Sequence, residues 1–194
     1  MKLPTLLSLF VACTCVAVLL SRPVNSETSA VNEADKSRNE LIAGYKQWTR
    51  VNSEPQVVAS RIALQCMSPT QAQSAIEEQN PHRDKFVVVY VNDTGRSAMM
   101  EQRQPKFPEG SVVVKEKMTT RESTTPELLT VMRKREAGYN PNSGDWEYFV
   151  FDGPGKVVQA SGKLEKCQSC HMLEKEGDYI SRSYLPPDVL KKLQ

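Results

Sequence analysis

Phe86-Val87-Val88-Val89-Tyr90-Val91 is followed at once by Asn92-Asp93-Thr94-Gly95. A run of β-branched and aromatic residues closed by a cluster of turn formers reads as a strand and the turn that ends it. The same grammar continues downstream. Pro108-Glu109-Gly110 leads into a strand over 111–118 that begins with three valines. A further strand is expected over 128–136, then a turn at Asn140-Pro141-Asn142-Ser143-Gly144. Bulky residues alternate over 146–151 up to Asp152-Gly153-Pro154-Gly155, and 156–160 reads as the returning strand of a hairpin. Short strands joined mostly by tight turns imply an antiparallel sheet of about four or five strands. A closed barrel has the same periodicity and stays open as the alternative.

Upstream of the strands the period is helical. Ser37-Arg38-Asn39-Glu40 matches a capping box, with Leu41, Tyr45 and Trp48 following at helical spacing, so a helix is expected over 38–50. Ser68-Pro69-Thr70-Gln71 repeats the pattern, with proline at the first helical position, and implies a shorter helix ending near Asn80-Pro81. The fold class is therefore α+β, a single domain with N-terminal helices and a mainly antiparallel sheet.

The 194 residues suffice for one domain, and 39% hydrophobic with 25% charged residues is ordinary for a globular chain. Lys2 precedes an apolar stretch over 3–20, and small residues end at Ser26. This is the layout of a secretory signal peptide, 1–26, with 27–194 as the mature domain, periplasmic or otherwise exported and free of the membrane once cleaved. An uncleaved anchor is the competing reading, because the apolar run is near the ~20 residues that span a bilayer. Both surplus positive charges, Lys2 and Arg22, lie in that segment, so the mature domain has no net charge and no basic stripe. Sequence-independent nucleic-acid binding is excluded on that ground.

Removal of the leader takes Cys13 and Cys15 with it and leaves Cys66, Cys167 and Cys170. An odd count makes no disulfide framework. Cys167-Gln168-Ser169-Cys170-His171 is instead the C-x-x-C-H arrangement that attaches c-type haem, and by chance it would arise in roughly one such sequence in a thousand. Two thiols three positions apart reach the two vinyl groups on one porphyrin edge, and the next residue brings an imidazole to the iron. Cys167 and Cys170 are then the thioether anchors of one covalently attached haem c, and His171 is its metal ligand. Competing uses of these residues are a redox disulfide, a zinc site completed by Cys66 or His82, and a structural disulfide to Cys66. The sixth iron position is undecided by residue types. His82, Met99, Met100, Met118, Met132 and Met172 are all available, and a closed sixth position would make the protein a six-coordinate electron-transfer cytochrome.

Several blocks, in order, resemble the cytochrome P-460 family: Asn80-Pro81-His82-Arg83, Tyr90-Val91-Asn92, Phe107 through Glu116, Gly144-Asp145-Trp146-Glu147-Tyr148, the haem motif, and Asp178-Tyr179. The likeness spans about 40 to 185 of the chain. The family includes hydroxylamine-oxidising cytochromes P-460 and nitric oxide-binding cytochromes c′-β. The resemblance implies a mainly antiparallel β fold, a homodimer and a five-coordinate haem that binds a small diatomic or nitrogenous ligand. An oxidising role would also call for a redox partner protein. It puts the lysine that cytochromes P-460 cross-link to the porphyrin on Lys115. The distal carboxylate of the hydroxylamine-oxidising members would fall near Thr130, with Met132 as its inward neighbour, and neither is acidic. Glu127 and Glu136 flank that strand. Proton removal from hydroxylamine needs a positioned base, so the likeness favours binding of a diatomic ligand over oxidation. No catalytic residue is assigned.

Overall fold

The structure, a computed structural model, describes residues 37–57 and 85–193. The expected leader, the expected second helix, Cys66 and His82 lie outside the described residues. Seven strands form one antiparallel sheet: β1 Thr49–Arg50, β2 Gln56–Val57, β3 Phe86–Val91, β4 Val112–Met118, β5 Leu128–Lys134, β6 Trp146–Asp152 and β7 Val158–Gly162. Their order is β1-β3-β4-β5-β6-β7, with β2 also beside β3. The class is α+β as expected, with more strands than expected. Among the described residues the outer strands β1 and β7 do not pair with each other.

The two additional strands share one edge of β3: Thr49 lies opposite Val91, and Gln56 opposite Val87. Asn52, between them and fully buried, fills the gap. Its Nδ2 donates to the Val87 carbonyl (2.9 Å) and its Oδ1 accepts from the Val89 amide (2.8 Å). A side-chain amide thus does the work of a missing backbone partner, because buried backbone groups must be paired. Two-residue strands carry too little periodicity to be read from sequence.

Besides helical backbone over 37–41, the described residues include α1 Asp93–Met100, α2 Glu165–His171 and α3 Pro187–Leu193. Helix α1 corrects an expectation. Asn92-Asp93-Thr94-Gly95 is a helix start rather than a turn: Asn92 Oδ1 accepts from the Gly95 amide at 3.1 Å. Residues that favour turns also favour N-caps, and the two are indistinguishable without the following contacts. The expected helix over 38–50 is also shorter. Helical backbone covers 37–41, Gly44 turns into the left-handed region at φ 69°, and a 3-10 helix, Tyr45–Gln47, precedes β1. The returning strand lies two residues later than expected, with an irregularity in its pairing between Val150 and Phe151.

Both faces of the sheet are covered, which is why β3 reads as an unbroken apolar run. One face packs Ile42, Val114, Leu129, Val131, Phe149 and Phe151 beneath the N-terminal segment. The other packs Val89, Val91, Val113, Met132, Trp146 and Tyr148 against Met99, Phe107 and the C-terminal residues Tyr179, Ile180 and Leu185. On β4 the parity of the strand puts Lys115 and Lys117 on the second face, along with Val113.

Candidate functional site

On α2 the spacing of three and four places Cys167, Cys170 and His171 along one side of a single helix. Both cysteines are free thiols, Cys167 half-buried and Cys170 exposed. Burial pushes the Cys167 thiol above its usual range; Cys170 adds to the rise, and the nearby Lys115 charge opposes it. Gln168, between the cysteines, fastens the helix to the turn before β6. Its Oε1 accepts from Asn140 Nδ2 (3.1 Å), which also donates to the Trp146 carbonyl (3.0 Å). Gln168 Nε2 donates to the Lys163 carbonyl at 2.8 Å.

His171 faces the second sheet surface. Its ring centre lies 5.6 Å from that of Tyr148 at a tilt of 49°. The Tyr148 hydroxyl is held by Ser143 Oγ at 2.8 Å, and burial pushes its pKa up to about 12. His171 Nδ1 stands 2.7 Å from the Tyr179 carbonyl oxygen. A carbonyl can only accept, so Nδ1 carries the proton and the lone pair of the neutral ring resides on Nε2.

That carbonyl is presented by an uncommon backbone. After the 3-10 helix Met172–Gly177, Asp178 and Tyr179 both take positive φ, 53° and 66°. Left-handed conformations in non-glycine residues cost about 1–3 kcal/mol each and persist only when the surroundings enforce them. Here the enforcement is visible. Both Asp178 carboxylate oxygens accept from Lys134 Nζ at 2.8 Å, and one also accepts from the Phe107 amide at 2.9 Å. The Asp178 carbonyl accepts from Trp146 Nε1 at 2.8 Å. Phe107 and Trp146 are both buried, and their rings meet edge to face at 5.4 Å.

Lys115 lies opposite Val89 on one side and Thr130 on the other, with Val150 next across β5. Its ammonium is 5.9 Å from the centre of the Tyr184 ring. It is half-buried rather than an outward-facing strand lysine. Lys117, next along the same face, is 4% exposed, and burial pulls its pKa down. Thr130 does sit beside Lys115, where the likeness called for an acid. Met99 is wholly buried in the core and Met118 is buried on β4, while Met172 is exposed beside His171.

The family model described as cytochrome P-460 matches residues 42–181. The chain belongs to the cytochrome P-460 family. A comparison with curated proteins finds no match. Membership implies a haem cofactor, and the residues of this cytochrome P-460 chain fit one: two free thiols and an imidazole with its Nε2 lone pair on one helix, against an apolar sheet face. The structure brings Cys167, His171 and Lys115 to that one face, with Cys170 exposed on the same helix. Sequence reasoning assigned no role to Asn140, Gln168, Tyr148 or Lys134. Lys134 lies 44 positions from Asp178, and a single lysine at a strand end carries no local signal of its partner.

Proposed function

We propose that the chain is an exported mono-haem c protein whose iron is held by His171 and takes a small nitrogenous ligand, with nitric oxide favoured over hydroxylamine. Cys167 and Cys170 would hold the haem through thioether bonds, each S–H adding across one vinyl group so that sulfur takes one vinyl carbon, hydrogen the other, and no oxidant is consumed. The observation that carries the reading is the His171 Nδ1 contact with the Tyr179 carbonyl, 2.7 Å. It sets the tautomer whose Nε2 can bind metal, and an outer acceptor of this kind is characteristic of metal-binding imidazoles. Haem iron supplies the coordination position for the ligand and one-electron chemistry.

The preference for nitric oxide rests on the residues around Lys115. Its cross-strand neighbours are Val89 and Thr130. The acids at the strand ends are engaged elsewhere: Glu127 with Lys85 Nζ at 2.8 Å, Glu136 with Arg135 at 3.0 Å, and Asp152 Oδ1 with the Lys156 and Val157 amides. Oxidising hydroxylamine requires a base within hydrogen-bond reach of the proton it removes. Among the described residues, none of these carboxylates is available for that work.

The test is an optical spectrum of the ferrous holoprotein, from a host that matures haem c, with and without nitric oxide. A five-coordinate spectrum that changes on ligand addition supports the reading. A low-spin spectrum, with no carbon monoxide binding by the reduced protein, selects the six-coordinate electron carrier instead. A Soret band displaced far to the red, and lost in Lys115→Ala, would show that Lys115 is bonded to the porphyrin; an ordinary haem c spectrum would show that it is not.

A further inference from the structure

We propose that Asp178 and Lys134 are positioning residues for the axial ligand, aiming the Tyr179 carbonyl at His171 Nδ1 and so setting how strongly that imidazole donates to iron. The inference rests on His171 being the iron ligand, and it adds what tunes it. Three observations converge. First, the carbonyl reaches Nδ1 through two successive left-handed residues, Asp178 and Tyr179. Neither is a glycine, so this path needs an external hold.

Second, the hold is concentrated on one buried carboxylate. Asp178 is 5% exposed and accepts from Lys134, from the Phe107 amide and, on its carbonyl, from the Trp146 indole. Third, Lys134 is itself anchored. Its amide donates to the Ser111 carbonyl (2.8 Å), its carbonyl accepts from the Gly110 amide (3.0 Å), and its ammonium lies 5.0 Å from the centre of the Trp146 ring. The hydrogen-bonded end of the sheet therefore grips the residue beside the one whose carbonyl meets the imidazole. Outer partners of a metal-bound histidine orient the ring and raise its basicity. A well-aimed acceptor gives Nε2 more electron density and favours ferric over ferrous iron.

The experiment uses folded holoprotein and two readouts, the iron–histidine stretching band of the ferrous form by resonance Raman and the reduction potential. Lys134→Met and Asp178→Asn should each move the band to lower frequency and raise the potential, while Lys134→Arg, which keeps the charge-assisted donor, should stay near wild type. If Asp178→Asn does not accumulate as holoprotein, the Lys134 pair carries the same test. Folded variants that lose thermal stability but keep the wild-type band and potential would overturn the proposal and leave the pair a merely structural one. His171→Ala separates this from failure of the ligand assignment: the band must vanish there, and its persistence would place the axial ligand elsewhere whatever the other variants do.

Discussion

A Cβ on residue 144 would stand 2.4 Å from Cδ2 and 2.6 Å from Cε2 of Tyr179, and Gly144 also has φ +60°. Glycine is thus required twice, for its conformation and for the close approach of the ring of Tyr179, the second residue of the left-handed pair. Gly144→Ala is expected to cost about 2–4 kcal/mol in chemical denaturation, from backbone strain and a ring that must move. Tyr148 provides a pH signature. Its pKa rises from 10.0 to about 12, chiefly through burial. A phenol that holds its proton more tightly in the folded chain contributes stability that is complete below the unfolded value and lost as pH climbs through the folded one. The denaturation midpoint should therefore fall between pH 10 and about 12, and fall less steeply in Tyr148→Phe. At this scale the C-x-x-C-H pattern was legible, because it is local: two thiols and an imidazole within five positions. Lys134 and Tyr148 were not, since their partners come from other elements.

At the scale of elements, the strands were legible where side chains alternate or run apolar over six or seven residues, as in β3, β4 and β6. Misreadings arose where one residue type serves two structures. Asn92 looked like the first residue of a turn and is an N-cap whose Oδ1 also accepts from the Val112 amide at 2.9 Å. Asn92→Ala should lower stability by about 1–2 kcal/mol in urea titration, the cost of an uncapped helix. Asn52 is the more demanding case. Asn52→Ala would leave the Val89 amide and the Val87 carbonyl without the partners they now have in a buried strand. Its expected cost is about 2–4 kcal/mol, read the same way. Nothing in the local sequence around Asn52 distinguishes it from a loop asparagine; its role exists only because β1 and β2 leave a gap between them along one edge of β3.

Across the whole molecule, the sheet separates two apolar clusters with different tasks. Leu129, Phe149 and Phe151 stabilise the face beneath the N-terminal segment, whereas Met132, Trp146 and Tyr148 back the face that meets α2. Phe151→Ala should therefore cost about 3–5 kcal/mol while leaving the haem spectrum of the folded protein unchanged; a shifted spectrum would show that the two faces are coupled. Period-two alternation, turn residues and a five-residue motif were enough, from the chain alone, to specify an antiparallel α+β domain and to mark Cys167, Cys170 and His171 as the candidate haem site. Those features are encoded between neighbours in sequence, where strand parity and side-chain reach act directly. Tertiary structure alone decided that Lys115 shares a face with Cys167, that Thr130 stands beside it, and that Lys134 reaches Asp178, next to the residue whose carbonyl meets His171 Nδ1. Such relations depend on strand order and register, which arise from how the faces pack and leave no mark on any short stretch of residues.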